Sequence, residues 1–185
     1  MLARVASLLL RLGGWRTVCV PSPGPKSVVV VYPHTSNWDF IIGMLWRTKH
    51  QVTLHWAGKD TLFRGPFRRL FIRLGGVPIN RRERTGMIAQ LVAIYTARAT
   101  FHLCITPEGT RSRTDHWKSG FYRLALAADV PVGLGFIDFA RKEAGIERWV
   151  RLSGDEAADL ALLRNYYAGK QGCRPELAGD IRFKR

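Results

Sequence analysis

Ser27-Val28-Val29-Val30-Val31-Tyr32-Pro33-His34-Thr35-Ser36-Asn37-Trp38-Asp39 is the stretch that decides the fold. Four successive valines without a polar interruption suit a strand buried on both faces, as in a parallel sheet covered by helices. Pro33 cannot continue the ladder and ends the strand. Residues 37–47 read as a helix, so a histidine is left at the strand end with an aspartate five positions on, just inside that helix. Such an aspartate can fold back onto one ring nitrogen, and an imidazole so held is a general base working near neutral pH. Taken alone the H-x4-D spacing is weak, because a satisfied structural histidine fits it as well. It occurs twice: His55 and Asp60 repeat it. His55 lies inside a strand between Leu54 and Trp56 rather than ending one, so a structural histidine is expected there.

Working outward, residues 52–57 read as a strand. Phe67, Leu70, Phe71 and Leu74 then repeat at helical spacing opposite Arg68, Arg69 and Arg73, a short basic amphipathic helix ended by Gly75-Gly76. A strand is expected over 77–80, and a helix whose face carries Ile88, Leu91, Val92 and Tyr95. Residues 101–105 are strand-like. A helix bearing Phe121, Leu124, Ala125 and Ala128 follows, then a strand over 131–137. Ser153 and Glu156 form a capping box for a helix through 166. Alternating strands and helices imply an α/β domain with a mixed, mostly parallel sheet flanked by helices, and ligand-binding loops at strand ends.

Upstream, Pro21-Ser22-Pro23-Gly24-Pro25 breaks the chain. The N-terminal helix before it carries a polar stripe of Arg4, Ser7 and Arg11 against Leu2, Val5, Leu8, Leu9 and Leu12. It suits a membrane interface, with Trp15 at headgroup level, and equally a terminal helix packed on its own domain. The organisation expected is a helix within 1–20 and a single domain over 26–185.

A length of 185 residues, 46% apolar and 23% charged, fits one globular domain. The balance of 29 Lys+Arg against 14 Asp+Glu, net +15, favours an anionic partner without choosing among nucleic acid, lipid, phosphorylated metabolite and acidic protein. Cys19, Cys104 and Cys173 show neither disulfide nor metal-ligand spacing, so a reducing compartment is expected and no metal site. No apolar run reaches the roughly 18 residues of a spanning helix. Short apolar length and the interruption at Arg11 argue against a signal peptide, so the protein is expected not to be secreted.

The second candidate loop is Thr106-Pro107-Glu108-Gly109-Thr110-Arg111-Ser112, again after an apolar strand. Gly109 lets the backbone approach a ligand, and Arg111 offers a fork for phosphate oxygens. Glu108 could hold Arg111 or accept from a substrate hydroxyl. A solvated turn with a surface ion pair is the bland alternative.

Taken together, the two loops change the reading. His34-Thr-Ser-Asn-Trp-Asp39 followed by Glu108-Gly-Thr-Arg111 resembles the glycerolipid acyltransferase family, which includes the 1-acylglycerol-3-phosphate acyltransferases. Gly76-Val-Pro-Ile-Asn-Arg81 resembles its second block, and Val130-Pro131-Val132 its fourth. Lys59, Leu62-Phe63 and Pro66 resemble the approach to the second. Four blocks in family order cover about residues 28–138, and residues 153–181 resemble bacterial members. Pro33 and Asn80 depart from the family's usual Asn and Asp.

The resemblance implies a glycerol-3-phosphate acyltransferase-like fold and acyl transfer from acyl-CoA or acyl-ACP to a lysophospholipid hydroxyl, with 1-acylglycerol-3-phosphate the commonest acceptor. His34 would take the hydroxyl proton and Asp39 would orient the ring. Arg81 and Arg111 would bind the acceptor phosphate in a pocket shaped by Glu108, Gly109 and Thr110. Ser36, Asn37 or a backbone N–H in that turn could serve the oxyanion, and Lys59 is a further candidate. Cofactors are none, with acyl-CoA or the acyl carrier protein as partner and co-substrate. Arg68, Arg69 and Arg73 could hold an anionic membrane surface or receive the donor's phosphates. The expected place is the cytoplasmic face of a membrane, peripheral or monotopic. A nucleic-acid module would explain the charge, but no zinc finger or RNA-recognition signature is present, so no nucleic acid is expected. A transferase with another hydroxyl or amine acceptor, a hydrolase and an inactive lipid-binding protein remain open.

Overall fold

The computed structural model describes residues 1–79 and 84–184. The helices are α1 (Leu2–Leu12), α2 (Trp38–His50), α3 (Arg68–Arg73), α4 (Arg84–Ala97), α5 (Gly120–Ala127) and α6 (Glu156–Tyr167). The strands are β1 (Arg16–Cys19), β2 (Lys26–Val31), β3 (His55–Lys59), β4 (Gly76–Ile79), β5 (Phe101–Ile105), β6 (Val132–Asp138) and β7 (Glu143–Val150). They form one sheet in the order β1-β7-β6-β2-β5-β3-β4. Every pairing is parallel except β6 with β7. The mixed, mostly parallel α/β architecture expected from the sequence is therefore the one observed.

The valine run explains itself in this sheet. Val28 and Val30 face a core shared with Leu91 and Tyr95 of α4, Phe121 and Leu124 of α5, and Leu160 and Leu163 of α6. Val29 faces the other side, against Trp46 of α2 and Ile146 of β7. A central strand buried on both faces needs no polar alternation. On that second side α1 packs on α2, with Leu10 and Ile42 buried in one cluster with Ile137 and Ala144.

Two strands escaped the sequence reading. β1 is only four residues long and half-exposed. β7 carries Glu147 and Arg148 on its exposed positions, which masked its periodicity. The third strand begins at His55 rather than 52, and α2 continues to His50. The expected capping box does not form: Asp155 caps α6 by accepting from Ala157 N and Ala158 N at 3.0 and 3.1 Å. Ser153 instead donates its N–H and hydroxyl to the buried Asp159.

The topology makes one crevice. β2 and β5 are neighbours, yet β2 feeds α2 on one face of the sheet while β5 leads to α5 on the other. Loops leaving adjacent strands for opposite faces open a cleft at the strands' C-terminal ends, where α/β proteins bind ligands.

Candidate active site

The loop after β2 delivers His34 to that cleft, and the loop after β5 delivers residues 106–118. The His34 Nδ1 lies 3.0 Å from Asp39 Oδ2. The same carboxylate oxygen accepts the Thr35 and Ser36 backbone N–H groups, each at 2.9 Å. Asp39 is buried at 3% exposure and sits in the first turn of α2, where the helix dipole favours a negative charge. With Nδ1–H donating to Asp39, Nε2 carries the lone pair and has no hydrogen-bond partner among the described residues. The His34 side chain keeps 16% exposure, so the ring is held but reachable.

The other H-x4-D builds no dyad. Asp60 pairs with Arg64 at 2.5 Å, while the His55 ring packs at a tilt against Phe101 and meets Arg98.

Glu108, expected to help shape the acceptor pocket, is buried between the loops. It is 1% exposed, its Oε2 accepts His34 N–H at 2.7 Å, and its Oε1 accepts Gly179 N–H at 2.7 Å. Burial pushes its carboxyl up from the ordinary range, and the two amide bonds and His34 only partly offset that. Each oxygen accepts one backbone N–H, so Glu108 braces the His34 loop and its own loop against the C-terminal segment. Its local string reads as polar, and the partner that encloses it lies 71 residues away.

Arg111 does reach the same cleft as His34. Its Nη1 donates to Asn37 Oδ1 at 2.6 Å, which joins the two loops on their exposed side. That bond also engages Asn37, and Ser36 Oγ accepts the Trp38 N–H at 3.2 Å. Gly109 has φ +65, a left-handed conformation that favours glycine, and a Cβ there would lie 2.6 Å from Lys118 Nζ, so Lys118 lies over the loop. Thr110 is exposed and its hydroxyl accepts the Ser112 N–H at 3.1 Å. Lys59 ends β3, which β5 separates from β2, and makes no hydrogen bond or ion pair to either loop among the described residues. Arg81, with Asn80 beside it, lies outside the described residues.

Sequence reasoning missed Thr35, Tyr32 and the segment that covers them. Thr35 is 2% exposed and its Oγ1 accepts the Arg174 N–H at 3.1 Å. The Tyr32 hydroxyl donates to Gly179 O at 3.0 Å, and burial together with Glu108 pushes its pKa to about 12. No local pattern announces such long-range bonds. A separate cavity of about 460 Å³, lined by Trp46, Leu54, Phe101, Trp149, His55 and His102 among others, lies toward the opposite end of the sheet. None of its lining residues belongs to the two loops, so it is not the cleft that His34 faces.

A family model described as Acyltransferase matches residues 20–133. The chain is similar in structure to the 1-acyl-sn-glycerophosphate (LPA) acyltransferase PlsC from Thermotoga maritima, with a TM-score of 0.59 and 19% identity. That alignment covers 89% of this chain and 76% of the other. No match was found among curated proteins. With more than half its length matched, including His34, Asp39 and Arg111, the chain belongs to the acyltransferase family.

Proposed function

We propose that the protein transfers a fatty acyl group from acyl-CoA or acyl-ACP to the hydroxyl of a lysophospholipid, with 1-acylglycerol-3-phosphate the first candidate. The observation that carries this reading is the His34–Asp39 pair in one cleft with the Arg111 guanidinium. A thioester is already activated and needs no covalent enzyme intermediate. As the acceptor oxygen attacks the thioester carbonyl, His34 Nε2 takes its proton and Asp39 supports the resulting imidazolium. The tetrahedral oxyanion then collapses, the carbon–sulfur bond breaks, and the imidazolium returns the proton to the departing thiolate. Arg111, joined by Arg81, binds the acceptor phosphate and fixes the hydroxyl beside the base. The scheme requires no metal or resident cofactor.

In this reading residues 26–185 carry the chemistry and α1 meets a membrane surface. Leu2, Val5, Leu8, Leu9 and Leu12 of α1 are exposed, as are Trp38, Phe40 and Ile41 of α2 and Phe67, Leu70 and Ile72 around α3. Phe40 packs edge-on against Trp56, which touches Phe71, so the three helices share one side of the molecule. Trp38 adjoins Asn37, which brings this apolar rim to the mouth of the cleft. Arg68, Arg69 and Arg73 add the charge that anionic lipid attracts. No helix among the described residues is long and apolar enough to cross a membrane.

The test is a panel of lysolipids, with and without a headgroup phosphate, against labelled acyl-CoA and acyl-ACP. The reading expects labelled diacyl product from a phosphate-bearing lysolipid. Free fatty acid as the sole product, or no turnover with any pair, refutes it.

A further inference from the structure

We propose that the C-terminal segment 171–179 is a positioning element for the catalytic histidine, with Gly172 as its critical residue. The inference rests on the reading of His34 as the base, and deepens it by naming what holds that residue in place. Thr35 Oγ1 accepts Arg174 N–H at 3.1 Å, and a Cβ built on Gly172 would lie 2.5 Å from Thr35 Oγ1, 3.0 Å from Thr35 Cγ2 and 3.2 Å from Pro33 Cβ. Pro33 and Thr35 are the two sequence neighbours of His34, so Gly172 abuts the catalytic loop at the residues before and after the base.

The segment is anchored beyond its contact with the loop. On one side the Phe139 N–H donates to Gln171 O at 2.8 Å. The Arg141 guanidinium reaches Gly169 O at 3.0 Å and Asp138 at 2.9 Å. On the other, Gly179 is fastened to Glu108 and Tyr32, and beyond it the Trp117 N–H donates to Arg182 O at 2.7 Å with Phe183 buried. Glu108 closes the circuit, since its other oxygen holds the His34 N–H. A segment tied at both ends cannot easily lift, and Thr35, 2% exposed, has little room to swing aside. A methyl on Gly172 therefore displaces the 33–35 backbone, and the His34–Asp39 hydrogen bond moves with it. Gly172 touches no substrate in this arrangement and acts through Thr35 and Pro33.

The experiment compares wild type, Gly172→Ala, Thr35→Ala, the double variant and Gly24→Ala, whose added Cβ meets nothing within 4 Å. Acyl transfer, thermal melting and the ¹⁵N resonances of the His34 ring, assigned by their loss in His34→Ala, are measured on each. Gly172→Ala is expected to lower kcat about 10- to 100-fold with KM within about twofold, as small misplacements of a reacting group do. Its melting temperature is expected to stay within about 4 °C of wild type, with the His34 Nδ1 resonance shifted. Thr35→Ala removes the two closest atoms, so the double variant should lose less than the product of the single losses. The proposal is overturned if Gly172→Ala keeps wild-type kcat and His34 resonances. It is equally overturned if the loss follows only the folded fraction, or if the single losses multiply. The ring resonances need no turnover. A wild type without transferase activity would therefore refute the reaction assigned above, while a shifted His34 signal in Gly172→Ala would still support the positioning role.

Discussion

Glu108→Gln separates a structural strut from a substrate contact. In the native chain each carboxylate oxygen accepts one backbone N–H, from His34 and from Gly179, both at 2.7 Å. Glutamine has one carbonyl and one NH2, so whichever way the amide turns, a donor faces a donor. One hydrogen bond to a charged group is lost, typically about 1.5–3 kcal/mol, and a backbone N–H is left unpaired. Relief of the burial that disfavours the native carboxylate returns part of this. A net loss of about 2–3 kcal/mol is expected, which for a domain of this size lowers Tm by about 4–12 °C. Differential scanning fluorimetry gives that number, and steady-state kinetics with the acceptor varied gives the other half. Because Glu108 is sealed from the cleft at 1% exposure, acceptor KM should change by less than about threefold while kcat falls with the altered His34 position. A tenfold rise in acceptor KM with unchanged melting would show that Glu108 touches the substrate and would refute the strut.

Asp39→Asn keeps an acceptor for the Thr35 and Ser36 N–H groups but removes the charge supporting the imidazolium, so kcat should fall about 10- to 150-fold. Retention of half the activity or more would remove Asp39 from the mechanism. Arg111→Ala should raise KM for a phosphate-bearing lysolipid about tenfold or more and leave KM for a phosphate-free acceptor unchanged, as kinetics on the matched pair would reveal. Burial lowers the affinity of His50, His55 and His102 for protons, with Lys49 and Arg98 adding to it for the first two. The unfolded chain then binds those protons more readily. Stability should be full above the ordinary histidine range, about pH 6.5, and fall as the pH drops through it. Glu108, raised by burial, opposes this over the lower range above 4.5. Urea midpoints at a series of pH values check the slope, and a midpoint that rises on acidification from neutral would contradict it.

How much could be read from sequence follows from where each interaction lies along the chain. β2 and β5 were legible because burial on both faces leaves unbroken apolar runs, and the His34–Asp39 pairing because both residues belong to one strand–loop–helix turn. β7 was not, since Glu147 and Arg148 point outward and disturb the pattern that Ile146 and Ala144 would have set. The α6 cap went to Asp155 because Asp159 captured Ser153, a competition between neighbouring carboxylates that spacing cannot rank. The motif of Glu108 read alone carried no sign of its burial. Its burial depends on Gly179, and that of Thr35 on Gly172 and Arg174, residues far along the chain with no periodic signature.

Single-turnover transfer of a labelled acyl group to 1-acylglycerol-3-phosphate, with wild type beside His34→Ala, bears most directly on the imidazole as the base. Transfer by the wild type and none above background by a His34→Ala chain of unchanged melting temperature is the expected result. Undiminished product from the folded variant would contradict it.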